Sequence, residues 1–140
     1  MRGIEKMENL KEVLTFDVEI TGDEAVKGKS GEAAMVFFGG TADCENFHGR
    51  ILPGGIDTQT QWLGQPRTLS ARYILEGVDK AGQSCRIFVE NNGTVREEGE
   101  LITTPRILTD SEALACLEQE ELFGTITPTE KGVTIHIFCR

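Results

Sequence analysis

Apolar residues at Leu14, Phe16, Val18 and Ile20 alternate with polar ones at Thr15, Asp17 and Glu19. A period of two puts the apolar set on one face, which predicts a half-buried strand over 11–20. The glycine- and charge-rich stretch 22–31 reads as a loop leading into a second apolar strand over 33–38. Strands are expected at 47–52 and 56–63, on either side of a break at Pro53-Gly54-Gly55, and a turn follows at Gly64-Gln65-Pro66-Arg67. The clearest hairpin joins 68–78 to 85–90 through Asp79-Lys80-Ala81-Gly82, and Asn91-Asn92-Gly93 is read as the end of its second strand. Over 110–121 the spacing changes. Ala113, Leu114, Leu117 and Leu122 form a stripe behind a cap at Asp110 or Ser111, which predicts one short α-helix. A closing hairpin is expected from 123–127 and 133–139.

Many short strands with regular turns and one helix specify an all-β fold, a single antiparallel β-barrel of roughly eight or more strands, with a β-sandwich as the alternative. A barrel of that size either fills with side chains or holds one small ligand. Residues 1–9 read as a flexible leader, with Met7 as a possible alternative start, and residues 10–140 as one barrel domain.

Charge narrows the partners. Fourteen Lys and Arg against 23 Asp and Glu give a net charge of −9, a surface that repels nucleic acid and anionic lipid. No apolar run approaches a membrane span and no signal peptide is visible, so the expectation is a cytoplasmic protein with no nucleic-acid or membrane partner. Cys44, Cys85, Cys116 and Cys139 are widely spaced without a CxxC pair or histidines at zinc-binding spacing. They read as reduced, mostly buried thiols, and neither a metal nor a cofactor is expected. Lys27-Gly28-Lys29 and Gly31 lack the spacing of a phosphate loop and the helix that follows one.

The segments FFGGTADCENFHGRILPGGIDTQ, LSARYILEGVDKAGQSCRIFVENNG, TTPRI and LFGTITPTEKGVTIHIFCR occur in one order. Together they resemble the bacterial and fungal family known as domain of unknown function 3237, over nearly the whole chain from about Leu14 onward. The resemblance implies a single β-barrel, often a homo-oligomer, and no established activity. The family-like positions are Gly40, Gly49, Pro53, Gly54, Gly55, Asp57, Gln59, Arg72, Tyr73, Asn91, Gly93, Thr104, Pro105 and Arg106. Ser70 stands where similar sequences tend to carry an aspartate before the ARY run, which leaves Asp57 or Glu90 as the carboxylate partner for Arg72.

Asp57, Gln59 and Gln61 alternate with Ile56, Thr58 and Thr60, so three polar groups share one strand face. Turned into a lumen they require partners, and Arg72, Asn91 and Arg106 are the expected ones, because guanidinium forks grip carboxylates. The set is either a polar network that fixes barrel register or a ligand site. In the second case Arg50, Gln59, Arg72, Tyr73, Asn91 and Arg106 bind a small anionic or carbonyl-bearing molecule, and if there is a reaction of lyase, isomerase or cyclase type, Asp57 or His48 moves a proton while an arginine anchors the developing oxyanion. Asp57, Arg72 and Arg106 are expected to converge in one pocket. A filled barrel acting as a structural or interaction module is the third reading. Strands such as 33–38, apolar on both faces, lead to the expectation of a homodimer or higher homo-oligomer.

Overall fold

A computed structural model describes residues 9–96 and 98–140. The expected leader at 1–9 therefore lies outside the described residues except for Asn9. Nine strands form one antiparallel sheet: β1 (Lys11–Gly28), β2 (Gly31–Cys44), β3 (Phe47–Ile51), β4 (Gly55–Trp62), β5 (Thr68–Asp79), β6 (Ser84–Thr94), β7 (Thr103–Thr109), β8 (Phe123–Pro128) and β9 (Gly132–Cys139). Apart from β3 and β4, sequential strands are neighbours, and β1 pairs with both β9 and β2, so the sheet closes on itself. β3 and β4 share one place in the ring: both lie between β2 and β5, β3 against one half of each and β4 against the other. The break between them is written in the sequence. Pro53 has no N–H for a ladder, and Gly54 takes a φ of 109°, where a side chain would be strained.

Eight positions around the ring leave an interior only wide enough for side chains or one small molecule. Half of it is solid. Leu14, Phe16, Phe47, Leu75, Ile87, Val89 and Ile137 are completely or almost completely buried and come from β1, β3, β5, β6 and β9. Close strand approach there depends on Gly40, where an added Cβ would run into the Asp17 carbonyl of β1.

Two segments depart from the sequence expectations. The stretch read as a loop over 22–31 is mostly strand: β1 continues to Gly28 and pairs with β2 down to Gly31, forming an arm beyond the barrel. A bulge between Ile20 and Gly22 changes which residues face outward along that arm. The second is the predicted helix over 110–121, which is a series of turns with one 3-10 turn at Ala115–Glu118. Ser111 Oγ accepts from the Leu114 N–H at 3.1 Å, but the residue before the 3-10 turn is Leu114, and no side chain caps that turn. Tertiary contacts then override local propensity. Leu114, Leu117 and Leu122 are buried, the successive bonds run from residue i to i−3, and the Glu118 carboxylate accepts from the Thr109 N–H at the end of β7. The segment is anchored by Asp79, which accepts from Ser111 Oγ at 2.6 Å and from the N–H groups of Ala81 and Gln83. It spans the seam where β7 and β8 share only the pair Thr103 and Gly124.

β7 has no counterpart among the strands expected from sequence. A proline in mid-segment argues against a central strand, but Pro105 sits on the strand that is barely paired on its β8 side. Among the described residues no helix is long and apolar enough to cross a membrane.

Candidate functional site

Strand register decides which side chains reach the lumen. In β4 and β5, Asp57 lies opposite Ala71 and Gln59 opposite Leu69, while in β6 Asn91 lies opposite Ala71 and Gly93 opposite Leu69. Thr103 of β7 follows opposite Gly93, and Gly124 of β8 opposite Thr103. These rows line a cavity of about 240 Å3 above the packed half. Its walls are mainly apolar: Val18, Ile20, Val36, Phe38, Leu69, Leu101, Ile126, Val133 and Ile135. Small residues make the space, since Ala71 separates Asp57 from Asn91 and a Cβ on Gly124 would strike Thr103 Oγ1. The polar lining is Asp57, Gln59, Asn91 and Thr103.

Tyr73 lies one inward position deeper on β5, packed edge-on against Phe38 and Phe16 with ring centroids 5.2 and 6.0 Å away. Four buried side-chain atoms of the described residues have no hydrogen-bond partner: Asp57 Oδ1, Tyr73 OH, Asn91 Oδ1 and Thr103 Oγ1. Tyr73, Asn91 and Thr103 are each at least nine-tenths buried. An unpaired buried polar atom costs about 1–3 kcal/mol, so four around one interior are a strong departure from ordinary core construction. Larger clefts exist outside, including one between the 61–67 turn and Thr94, Val95, Arg96 and Glu98, but no such atom lines it.

Burial pushes the Asp57 carboxyl above its usual range. The hydrogen bond from Gln59, the Ser70 backbone and the Arg67 charge pull the other way and do not overcome it. Tyr73 is also raised, first by burial and then by the Asp57 charge, so its phenol stays protonated at neutral pH. On β4 the other Asp57 oxygen, Oδ2, accepts from Gln59 Nε2 at 2.9 Å, and Gln59 Oε1 accepts from Arg67 Nε at 3.1 Å. Arg67 Nη1 stands 3.6 Å from Glu32 Oε1 at the rim.

Of the expected site residues, Asp57, Gln59, Tyr73 and Asn91 are brought together inside. The arginines are not. Arg72 is exposed and meets Glu90 at 3.0 Å on the outer face, where Glu90 also lies opposite exposed Arg106. Arg50 is likewise external, 3.8 Å from Glu76, which also pairs with Arg86. The expected convergence of Asp57, Arg72 and Arg106 is thus overturned by strand alternation: with Tyr73, Asn91 and Pro105 turned inward, the adjacent Arg72, Glu90 and Arg106 must turn outward. His48 is exposed too, its Nδ1 2.6 Å from Asp43 Oδ1, and has no access to the lumen. Gln61 continues the polar face of β4 but is exposed, donating to the Gln65 carbonyl.

Sequence reasoning missed Thr103 and Arg67. Thr103 belonged to the unrecognised β7, and Arg67 was absorbed into a turn, although it lies two residues before inward Leu69 and so shares its parity. No group of three or more His, Cys, Asp or Glu that could hold a metal occurs among the described residues.

Comparison with known proteins agrees with this architecture. Residues 8–101 match the model of the family described as "Protein of unknown function (DUF3237)". A UPF0311 protein of Clostridium acetobutylicum is 29% identical over 137 residues, covering 93% of this chain and 82% of that protein. Among solved structures, a protein of unknown function from Clostridium acetobutylicum superposes with a TM-score of 0.78 at 23% identity, covering 94% of this chain and 98% of that one. An enzyme from Penicillium herquei superposes with a TM-score of 0.73 at 16% identity, covering 94% of each chain. At those identities the two structures share the fold.

Proposed function

The chain belongs to the DUF3237 family of proteins of unknown function, and from that premise we propose that its barrel binds one small, mainly apolar organic molecule that donates hydrogen bonds. The observation that carries this is the coincidence of a 240 Å3 cavity with four buried, unpartnered polar atoms at or just below its walls. Scaling from a 150 Å3 cavity that holds benzene, the space suits a ligand of about ten non-hydrogen atoms. Asp57 Oδ1 and Asn91 Oδ1 only accept hydrogen bonds, so the occupant supplies donors, while the hydroxyls of Tyr73 and Thr103 can donate to a carbonyl or hydroxyl oxygen. The carbonyl-bearing class expected from sequence is kept. The anionic class is dropped, because among the described residues neither Lys nor Arg lines the cavity and Asp57 would repel a second negative charge. Phenol, benzylamine and benzoate, similar in size and different in charge, test this by titration calorimetry. Saturable binding of phenol or benzylamine with benzoate at least tenfold weaker supports the reading, and tighter binding of benzoate contradicts it.

A second reading, proton transfer, is favoured by one observation: Asp57 is pushed toward neutral pH by burial and keeps one oxygen free. The Penicillium herquei enzyme indicates that the fold is compatible with catalysis. In this reading Asp57 takes a proton from the bound molecule in a lyase, isomerase or cyclase reaction, and Asp57→Asn retains binding while losing turnover.

Self-association is proposed on separate grounds. Val26, Met35 and Trp62 are 68%, 42% and 64% exposed on the paired strands β1, β2 and β4, and a second copy would cover them. Light scattering of the wild type and Trp62→Glu tests it. A monomer mass for the wild type across a wide concentration range rejects the proposal.

A further inference from the structure

We propose that Arg67 is the positioning residue of the lumen carboxylate, acting on Asp57 through the amide of Gln59. This rests on the reading of the lumen as the functional interior. Hydrogen-bond polarity fixes the arrangement. Arginine carries only donors, so at 3.1 Å from Arg67 Nε the group presented by Gln59 is its oxygen. An amide has two ends. With Oε1 held by Arg67, Nε2 is turned to Asp57 and donates to Oδ2 at 2.9 Å. That leaves Oδ1 as the unpartnered oxygen of the carboxylate.

Without the guanidinium, nothing in that chain stops the Gln59 amide from turning over. Its oxygen would then face Asp57, an arrangement that favours the protonated acid, because a protonated carboxyl can donate to an amide oxygen and a carboxylate cannot. Arg67 therefore selects the ionised form of Asp57 at a distance. It does so from the rim, where Glu32 on β2 braces it at 3.6 Å. The position of the pair explains the alternation along β4: Asp57 lies in the lumen, Gln59 one inward step higher, and Arg67 at the mouth beside it. The remaining neighbours of Asp57 among the described residues are uncharged at neutral pH. Val36 stands opposite on β2, and Ala71 opposite on β5, with the Ser70 backbone alongside. Tyr73 is the other titratable group that senses it, and its phenol is held protonated by burial.

The test uses the ligand-free, full-length protein. Carbon-detected NMR of the side-chain carboxyls follows the titration midpoint of Asp57 in the wild type, Arg67→Met, Gln59→Met and the double variant. Arg67→Met is expected to raise the midpoint by about one pH unit or more, and Arg67→Lys, which also only donates, by clearly less. Gln59→Met is expected to raise it by a similar amount, and the double variant by no more than the larger single shift, since both changes break the same chain. Two outcomes overturn the proposal. One is an Asp57 midpoint in Arg67→Met within about 0.2 unit of the wild type, smaller than a lost hydrogen bond would give. The other is additive shifts in the double variant, which would mean that Arg67 acts by bare charge and not through the amide. Because no ligand enters the measurement, a failure of phenol to bind leaves this result standing, and the converse also holds.

Discussion

Replacing Tyr73 by phenylalanine removes one atom and separates a structural interior from a functional one. Tyr73 is 3% exposed, and its hydroxyl reaches no partner among the described residues. Its ring does the packing, edge-on to Phe38 at 76° and to Phe16 at 88°, and a phenylalanine ring keeps both contacts. The buried, unpaired hydroxyl costs about 1–3 kcal/mol, which Tyr73→Phe recovers. Against this stands the small void left by the oxygen, roughly 10–15 Å3, which at about 24 cal/mol per Å3 costs about 0.3 kcal/mol. The recovered term is larger. A net stabilisation of about 1 kcal/mol in a domain of this length raises the melting temperature by about 3–5 °C. Differential scanning calorimetry at pH 7 on the ligand-free protein reads it directly, and phenol affinity is expected to fall in the same variant. A melting temperature lowered by more than about 2 °C would refute the reasoning, since it would mean that the hydroxyl is satisfied inside the fold and stabilises it.

The outer-face arginines lead to an opposite pair of expectations. Arg72→Met and Arg106→Met leave phenol affinity unchanged, because both side chains stand outside the lumen, and loss of the Arg72–Glu90 contact costs about 1 kcal/mol or less in a melt. A tenfold loss of affinity in either would return these residues to the site. Asp79 governs acid lability. The Ser111 hydroxyl and the N–H groups of Gln83 and Ala81 lower its pKa in the folded protein, so its stabilisation is present above the unfolded value of about 3.9 and disappears as pH falls through the lower folded value. Asp79→Asn is therefore expected to melt below the wild type at pH 7, with the gap narrowing by pH 3, and a gap that widens in acid would contradict this.

Much of the architecture was legible because period-two alternation marks strands wherever one face is buried. The strands β1, β4, β5, β8 and β9 announce themselves in this way, and Pro53-Gly54 marks the split between β3 and β4. The arm and β7 were hidden for different reasons. Residues 22–28 are exposed and only Ala25 and Val26 among them are apolar, so pairing with β2 and not burial makes them a strand, and no single-strand pattern records a partner. In β7 the proline masked a strand that is scarcely paired on its β8 side. The helix over 110–121 was a fair local inference, defeated by leucines that reach into the core and by Glu118, which closes on the end of β7.

Within the site, Asp57 and Gln59 were found by the face they share. The choice of arginine failed although the same rule was sufficient to prevent it. Arg72 and Tyr73 are consecutive in a strand and cannot both face a lumen, and the aromatic residue had the stronger reason to be buried. Arg67 was the arginine of matching parity. Its contact with Gln59 depends on the register of β4 against β5, which one sequence does not contain.

Ala71 gives the most direct test of the lumen as a ligand site. It lies between Asp57 and Asn91, and its small side chain leaves the space they border, so Ala71→Leu fills the cavity while retaining every polar group. The measurement is a phenol titration of wild type and Ala71→Leu followed by backbone amide NMR. Saturable shifts at Ala71, Asn91 and Thr103 are expected in the wild type, with their loss in the folded variant. Equal shifts in both proteins, or none in the wild type up to the solubility of phenol, would contradict the ligand-site reading.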